Sequence, residues 1–273
     1  MKDDLINMNQ NWGLAFYLPA KVSSLITKIS KAPNSIISYF LCSQGYIPYR
    51  LSDLVTLYGK DEGNKIKENR LWHSPTKTNE YFIQEIYGRD ITKYSYRATG
   101  DYVKYGTHVA CYVDPIFFTS NRLLVREITN PSIIACLVSQ EYINDPQLIP
   151  IISKTDNNQD LQYLWAILNS KLATFYHFNH SPKATKGAFP KILVQDIKDF
   201  PLPAVNENQK STIIELVDKV LSAKKEDSQA DTSNLETEID KQVYHLYGLT
   251  YDEVLIVDPQ TPITREEYES KKQ

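Results

Sequence analysis

The chain has 273 residues, 42% of them hydrophobic and 23% charged, which is enough apolar content for one large packed domain or two modest ones. A net charge of -3 argues against a generic nucleic-acid binder, and no apolar run approaches the roughly 20 residues that a membrane helix needs. Three widely spaced cysteines (Cys42, Cys111 and Cys136) form neither a disulfide framework nor a zinc pattern and suit a reducing cytoplasm.

The polar, acidic start MKDDLINMNQNWG is no signal peptide. Leu14, Leu18, Val22, Leu25, Ile26 and Ile29 recur at helical spacing, with Pro19 starting or kinking the helix. Residues 36 to 58 read as strand and loop, with QGYIPYR as a turn, and the charged run from Asp61 to Arg70 reads as exposed. From Tyr81 to Ile151 the runs EYFIQEIY, KYSYR, DYVKY, VACYV, RLLVREI and SIIACLVS predict a sheet, cut by Gly, Asp, Asn and Pro turns. Asp160 to Phe178 predicts one helix with a broad apolar face, Leu161, Leu164, Trp165, Leu168, Leu172, Phe175 and Tyr176. Two more helices follow, one opening near Glu207 and one capped by Ser233 and Glu236 and stopped by Gly248, together an antiparallel hairpin. Its apolar positions Val217, Val220, Leu221, Leu235 and Ile239 would pack on the body or hold a partner. The fold class expected is α+β.

Charge is unevenly placed. Residues 1 to 203 hold 22 Lys and Arg against 18 Asp and Glu, whereas residues 204 to 273 hold 8 against 15. Between Trp165 and Gln195 there are four lysines and no acid, a local field that would attract a polyanion.

Several motifs that suggest chemistry do not carry it. DPIF at Asp114 to Phe117 departs from the Asn/Asp-Pro-Pro-aromatic loop of amino methyltransferases at its second proline, and no glycine-rich cofactor loop precedes it. GKDEGNK near Gly59 lacks the order of a phosphate-binding loop. His177 and His180 lie three apart with no acid or cysteine to complete a metal shell, and suit a helix end. What remains is recognition chemistry. YGRDITKYSYR interleaves Arg89, Lys93 and Arg97 with tyrosines, SNRLLVREI adds Arg122 and Arg126, and KATKGAFPK is a glycine-hinged lysine loop. Guanidinium groups can fork onto a guanine edge or a phosphate, whereas lysines supply point charges.

Taken in order, QGYIPYR, IYGRDITKY, RLLVREIT, LWAILNSKLATFYHF, KGAFPKILVQDIKDFPLP and the tail LVDKVLSAKKEDSQADTSNLETEIDKQVYHLYGLTYDEVLIVD resemble the C-terminal specificity domain of TaqI-like adenine-N6 DNA methyltransferases. The same domain occurs in combined type II restriction-modification enzymes. The resemblance spans about residues 40 to 258. It implies a β-rich target-recognition domain over 36–203 with scaffold helices, a helical linker over 1–35, and an acidic helical region over 204–273. It also implies double-stranded DNA as partner and a separate methyltransferase domain or subunit that would hold S-adenosylmethionine. The family's cofactor and catalytic loops have no counterpart in the residues present, so no catalytic, cofactor or metal residue is assigned. The DNA-contacting candidates are Arg89, Lys93, Arg97, Arg122, Arg126, Lys183, Lys186, Gly187 and Lys191, with Gly187 letting the backbone approach a phosphate. The alternative expectation is a protein-interaction subunit or remnant that keeps the fold without binding DNA.

Overall fold

The computed structural model describes residues 18–181, 183–184 and 189–270. In chain order the elements are α1 (Ala20–Ser30), β1 (Asn34–Ser35), α2 (Ile36–Tyr39), β2 (Phe40–Cys42), α3 (Leu51–Tyr58) and α4 (Lys60–Asn69). Then come β3 (His73–Ser74), β4 (Phe82–Ile86), a 3-10 turn (Gly88–Asp90), β5 (Tyr102–Lys104) and α5 (Ile116–Thr119). The strands β6 (Arg122–Arg126), β7 (Ala135–Val138), β8 (Ile143–Asn144) and β9 (Leu148–Ser153) follow. The chain continues through α6 (Asn158–Asn169), α7 (Lys171–His180), α8 (Val194–Lys198), β10 (Pro201–Leu202), α9 (Glu207–Glu226), α10 (Ser233–Leu246), α11 (Tyr251–Val257) and α12 (Arg265–Glu269). Helices and sheets are mixed, as an α+β chain requires.

The central sheet has the order β2-β9-β6-β7 and is antiparallel throughout. Strand alternation divides its side chains between two cores. Leu123, Val125, Ala135, Ile149 and Ile151 face a large core built with Leu161, Leu164, Trp165 and Leu168 of α6 and with apolar residues of α1, α9 and α10. Leu124, Cys136, Val138 and Leu148 point the other way, against Ile86 and Ile91. The sheet is thus a wall, with a helical scaffold on one side and the segment that follows β4 on the other. A second sheet, β3-β5-β4-β8, pairs β8 in parallel with β4 and encloses a third small core around Tyr46, Val103 and Phe118.

The long predicted helix over 160–178 is two helices. Ser170 breaks it, its hydroxyl donating to the Ile167 carbonyl (2.7 Å) and accepting the Ala173 N–H (3.1 Å), which ends α6 and caps α7 in one residue. Residues 51–58, expected as part of a strand-and-loop stretch, form α3 with Leu54 buried. Of the runs expected in the sheet, KYSYR and VACYV are not strands. In the C-terminal hairpin Asn206 and Gln209 form the capping box of α9, and Gly248 stops α10 at a φ of +64° that favours glycine. The expected Ser233 cap is replaced by Thr232, whose hydroxyl donates to Glu236 (2.7 Å). Val217, Val220 and Ile239 are buried in the large core, with Leu221 and Leu235 packed against it, so this stripe is spent on the body and does not face a partner.

Candidate nucleic-acid interface

The site is assembled where β6 ends and β9 begins, because the antiparallel register sets Arg126 opposite Leu148. Backbone hydrogen bonds extend this end of the sheet outward. Glu127 donates its N–H to the Gln147 carbonyl (2.8 Å) and accepts the Ile192 N–H (2.8 Å). Thr129 donates to the Pro190 carbonyl (3.0 Å), and Lys191 donates to the Lys183 carbonyl (3.2 Å). Residues 190–192 are therefore laid along the segment after β6. On the other side Gly88 lies against Gln147, which brings the 3-10 turn to the same place.

This arrangement gathers Arg89, Arg97, Arg126, Lys183 and Lys191 at one end of the sheet. Arg89 stands on the 3-10 turn with its side chain 72% exposed and its guanidinium over the Tyr87 ring, 4.6 Å from the centroid. Arg97 is exposed and donates its backbone N–H to the Asp90 carbonyl (3.0 Å). Arg126 shares the Leu124 side of β6 and is half-buried. Lys183 is exposed, and Lys191 pairs with Glu127 at 3.0 Å while keeping 44% of its side chain exposed. Lys186 and Gly187 lie outside the described residues.

Two expected contacts are corrected. Arg122 is fully buried, and its guanidinium hydrogen-bonds Ser120 O, Gln140 O, Tyr142 O and Asn144 Oδ1. These bonds occupy all five N–H groups, so none is left for DNA. Burial pulls its pKa down to about 10, and the residue is a clamp on the loop between β7 and β8. Lys93 is half-buried against the scaffold, donating to the Asn169 carbonyl (3.3 Å) in a cavity of about 230 Å³ that it shares with Trp165, Glu236 and Asp240. The Lys93 carbonyl accepts the Trp165 indole N–H (2.8 Å), which ties this residue to the helical scaffold.

Sequence reasoning missed a buried polar network beneath Arg89. Glu85 of β4 is 4% exposed and accepts hydrogen bonds from Tyr46 (2.5 Å), His73 Nε2 (3.0 Å) and Tyr87 (3.0 Å). Burial alone would raise its carboxyl, but these hydrogen bonds outweigh that and hold it below the ordinary range. His73 also contacts the Tyr49 hydroxyl through Nδ1 at 2.6 Å, and that hydroxyl accepts the Trp72 N–H (3.1 Å). The network therefore ties β3, β4 and the chain after β2 together. The 3-10 turn is held separately by Asp90, whose carboxylate accepts the Tyr87 N–H (2.9 Å), the Thr99 N–H (3.0 Å) and the Thr99 hydroxyl (2.5 Å). Nearby, burial pushes the Asp145 carboxyl up to about 7, with Glu85, Asp90 and Glu127 adding to the effect. Among the described residues no group of His, Cys, Asp and Glu could hold a metal ion. His177 is buried against Thr129, and burial lowers its imidazole to about 4.

Residues 83–202 match the family model described as the TaqI-like C-terminal specificity domain. Over this stretch the chain is similar to a TaqI-like specificity domain. The stretch contains β4 from Ile83 on, the 3-10 turn, the central sheet except β2, and the lysine segment after α7. A relative, "Putative type II restriction enzyme and methyltransferase" of Methanocaldococcus jannaschii, is 24% identical over 180 residues, 64% of this chain. The chain spans 15% of that relative's length. The type IIG restriction endonuclease BpuSI overlays 96% of this chain and 36% of its own with a TM-score of 0.41 and 11% sequence identity. No helix among the described residues is long and apolar enough to cross a membrane.

Proposed function

We propose that the chain is the DNA sequence-recognition part of a type II restriction-modification system that methylates adenine at N6. The observation that carries this reading is the specificity-domain match over residues 83–202, which includes the five basic side chains gathered at one sheet end. Lysines and arginines there would neutralise backbone phosphates, and arginine can in addition fork onto a base edge. The methyltransferase part would hold S-adenosylmethionine and do the chemistry, in the cytoplasm, in a separate domain or subunit. The division into residues 1–35, 36–203 and 204–273 belongs to the same proposal, with the middle part reading DNA.

The test is selection of duplexes from a random library by the purified chain at low salt, followed by sequencing. An enriched short motif supports the reading. Retention of no duplex at any salt concentration counts against it. Lys183→Ala with Lys191→Ala is expected to weaken binding to all duplexes and to reduce the slope of log K against log salt by about 1 to 2.

A further inference from the structure

Of the basic side chains at the sheet end, Arg89 differs in how it is held. Lys191 pairs with Glu127, and Lys183 accepts the Lys191 N–H through its carbonyl. Arg89 instead rests on an aromatic ring. Its nearest carboxylate oxygen, Asp90 Oδ1, is 3.9 Å away and already accepts the Thr99 hydroxyl at 2.5 Å. A guanidinium lying over a ring keeps its N–H groups at the rim, where they can still fork onto a planar acceptor pair.

The ring beneath it is itself fixed. Tyr87 donates its hydroxyl to Glu85 Oε2 at 3.0 Å. Glu85 cannot swing, because Tyr46 and His73 hold it and Gly100 packs so closely that a Cβ there would sit 2.6 Å from the Glu85 Cβ. The backbone on which Tyr87 and Arg89 stand is held by Asp90. A line of contacts thus runs from the buried core, through one carboxylate and one ring, to an exposed guanidinium. Preorganisation of this kind lowers the entropy lost when a long side chain is ordered on a ligand. It is what base readout requires of an arginine and what a phosphate contact does not.

We propose that Arg89 is a base-reading side chain and that Tyr87, tethered to Glu85, is the positioning residue that aims it. The inference rests on the DNA-recognition reading above and adds which residue reads and what holds it. The acceptor chemistry is the paired O6 and N7 of a guanine in the major groove, which a guanidinium matches with two parallel N–H groups.

The experiment measures Kd for the enriched duplex and for a scrambled duplex, and takes their ratio as selectivity. Arg89→Ala is expected to lower selectivity by roughly tenfold or more, acting on the enriched duplex alone, and Arg89→Lys should lose most of it because an ammonium cannot fork. Tyr87→Phe keeps the ring and loses the tether, and should cost about two- to fivefold. The same Tyr87→Phe change made in Arg89→Ala should have no further effect on selectivity. A structural role for Tyr87 would instead produce the same loss in both backgrounds and would overturn the positioning assignment. Undiminished selectivity in Arg89→Ala would overturn the inference while leaving DNA recognition intact. A parent chain that selects no duplex would overturn both. Position 89 is exposed, so its variants fold and the result stays decidable even if Tyr87 proves necessary for folding.

Discussion

Arg89 and Arg122 are both offered by the sequence as DNA contacts, yet they stand in opposite surroundings. Arg122 stands at the first residue of a strand buried on both faces, and its guanidinium is consumed by three carbonyls and one side-chain amide. Arg89 stands on a turn outside the sheet, and a ring beneath it holds the charge at the surface. The difference lies in what surrounds each guanidinium. Ringed by backbone acceptors an arginine is a structural clamp, and with only a flat apolar support it keeps its donors for a ligand.

The largest effect that can sharpen this comparison is on folding. Arg122→Ala removes a buried side chain and leaves its acceptors unpaired, and it should cost about 3 kcal/mol or more. A urea-denaturation free energy within about 1 kcal/mol of the parent would break the assignment of Arg122 as a clamp. Tyr46→Phe deletes one donor to the buried Glu85 carboxylate, for an expected loss of about 2 kcal/mol by the same measurement.

A smaller effect comes from pH. The Asp145 carboxyl is raised to about 7 in the folded chain, above the roughly 3.9 of an unfolded one. The folded state therefore binds the extra proton, and this group destabilises progressively as pH rises from about 4 to about 7. Asp145→Asn should flatten the stability profile in that window and recover part of the loss at pH 7.5. Profiles that stay parallel for parent and variant would show that Asp145 titrates normally. The smallest effect is that of Arg89→Ala on stability, expected within about 0.5 kcal/mol. A loss near that of Arg122→Ala would erase the contrast from which the comparison starts.

Much of the scaffold was legible from periodicity alone. Ile213, Val217 and Val220, and then Ile239 and Val243, recur at helical spacing and are buried as that spacing predicts. The break at Ser170 was not legible, because no Gly or Pro marks it and a single hydroxyl makes it. Helix α3 was missed because IPYR reads as a turn and the apolar residues after it suit a strand as well as a helix. At the site, interleaved basic and aromatic residues pointed to the right segment, but alternation could not say that both faces of β6 are buried. The Glu85 network left no local signal. Tyr46, His73 and Glu85 lie 12 to 39 residues apart and meet only through the pairing of β3, β5 and β4. An unusual abundance of tyrosine, 19 copies, was its one trace.

The division of labour within the 3-10 turn has a practical consequence. Asp90 ties down the backbone at Tyr87 and Thr99 through its own carboxylate, and Gly88 makes the contact with Gln147. Residue 89 presents an exposed side chain between these two anchors. It is therefore a coding position, one letter that can be rewritten while the page stays intact. A library of all side chains at 89, sorted against duplexes that differ in a single base pair, would map amino acid to base without refolding the reader.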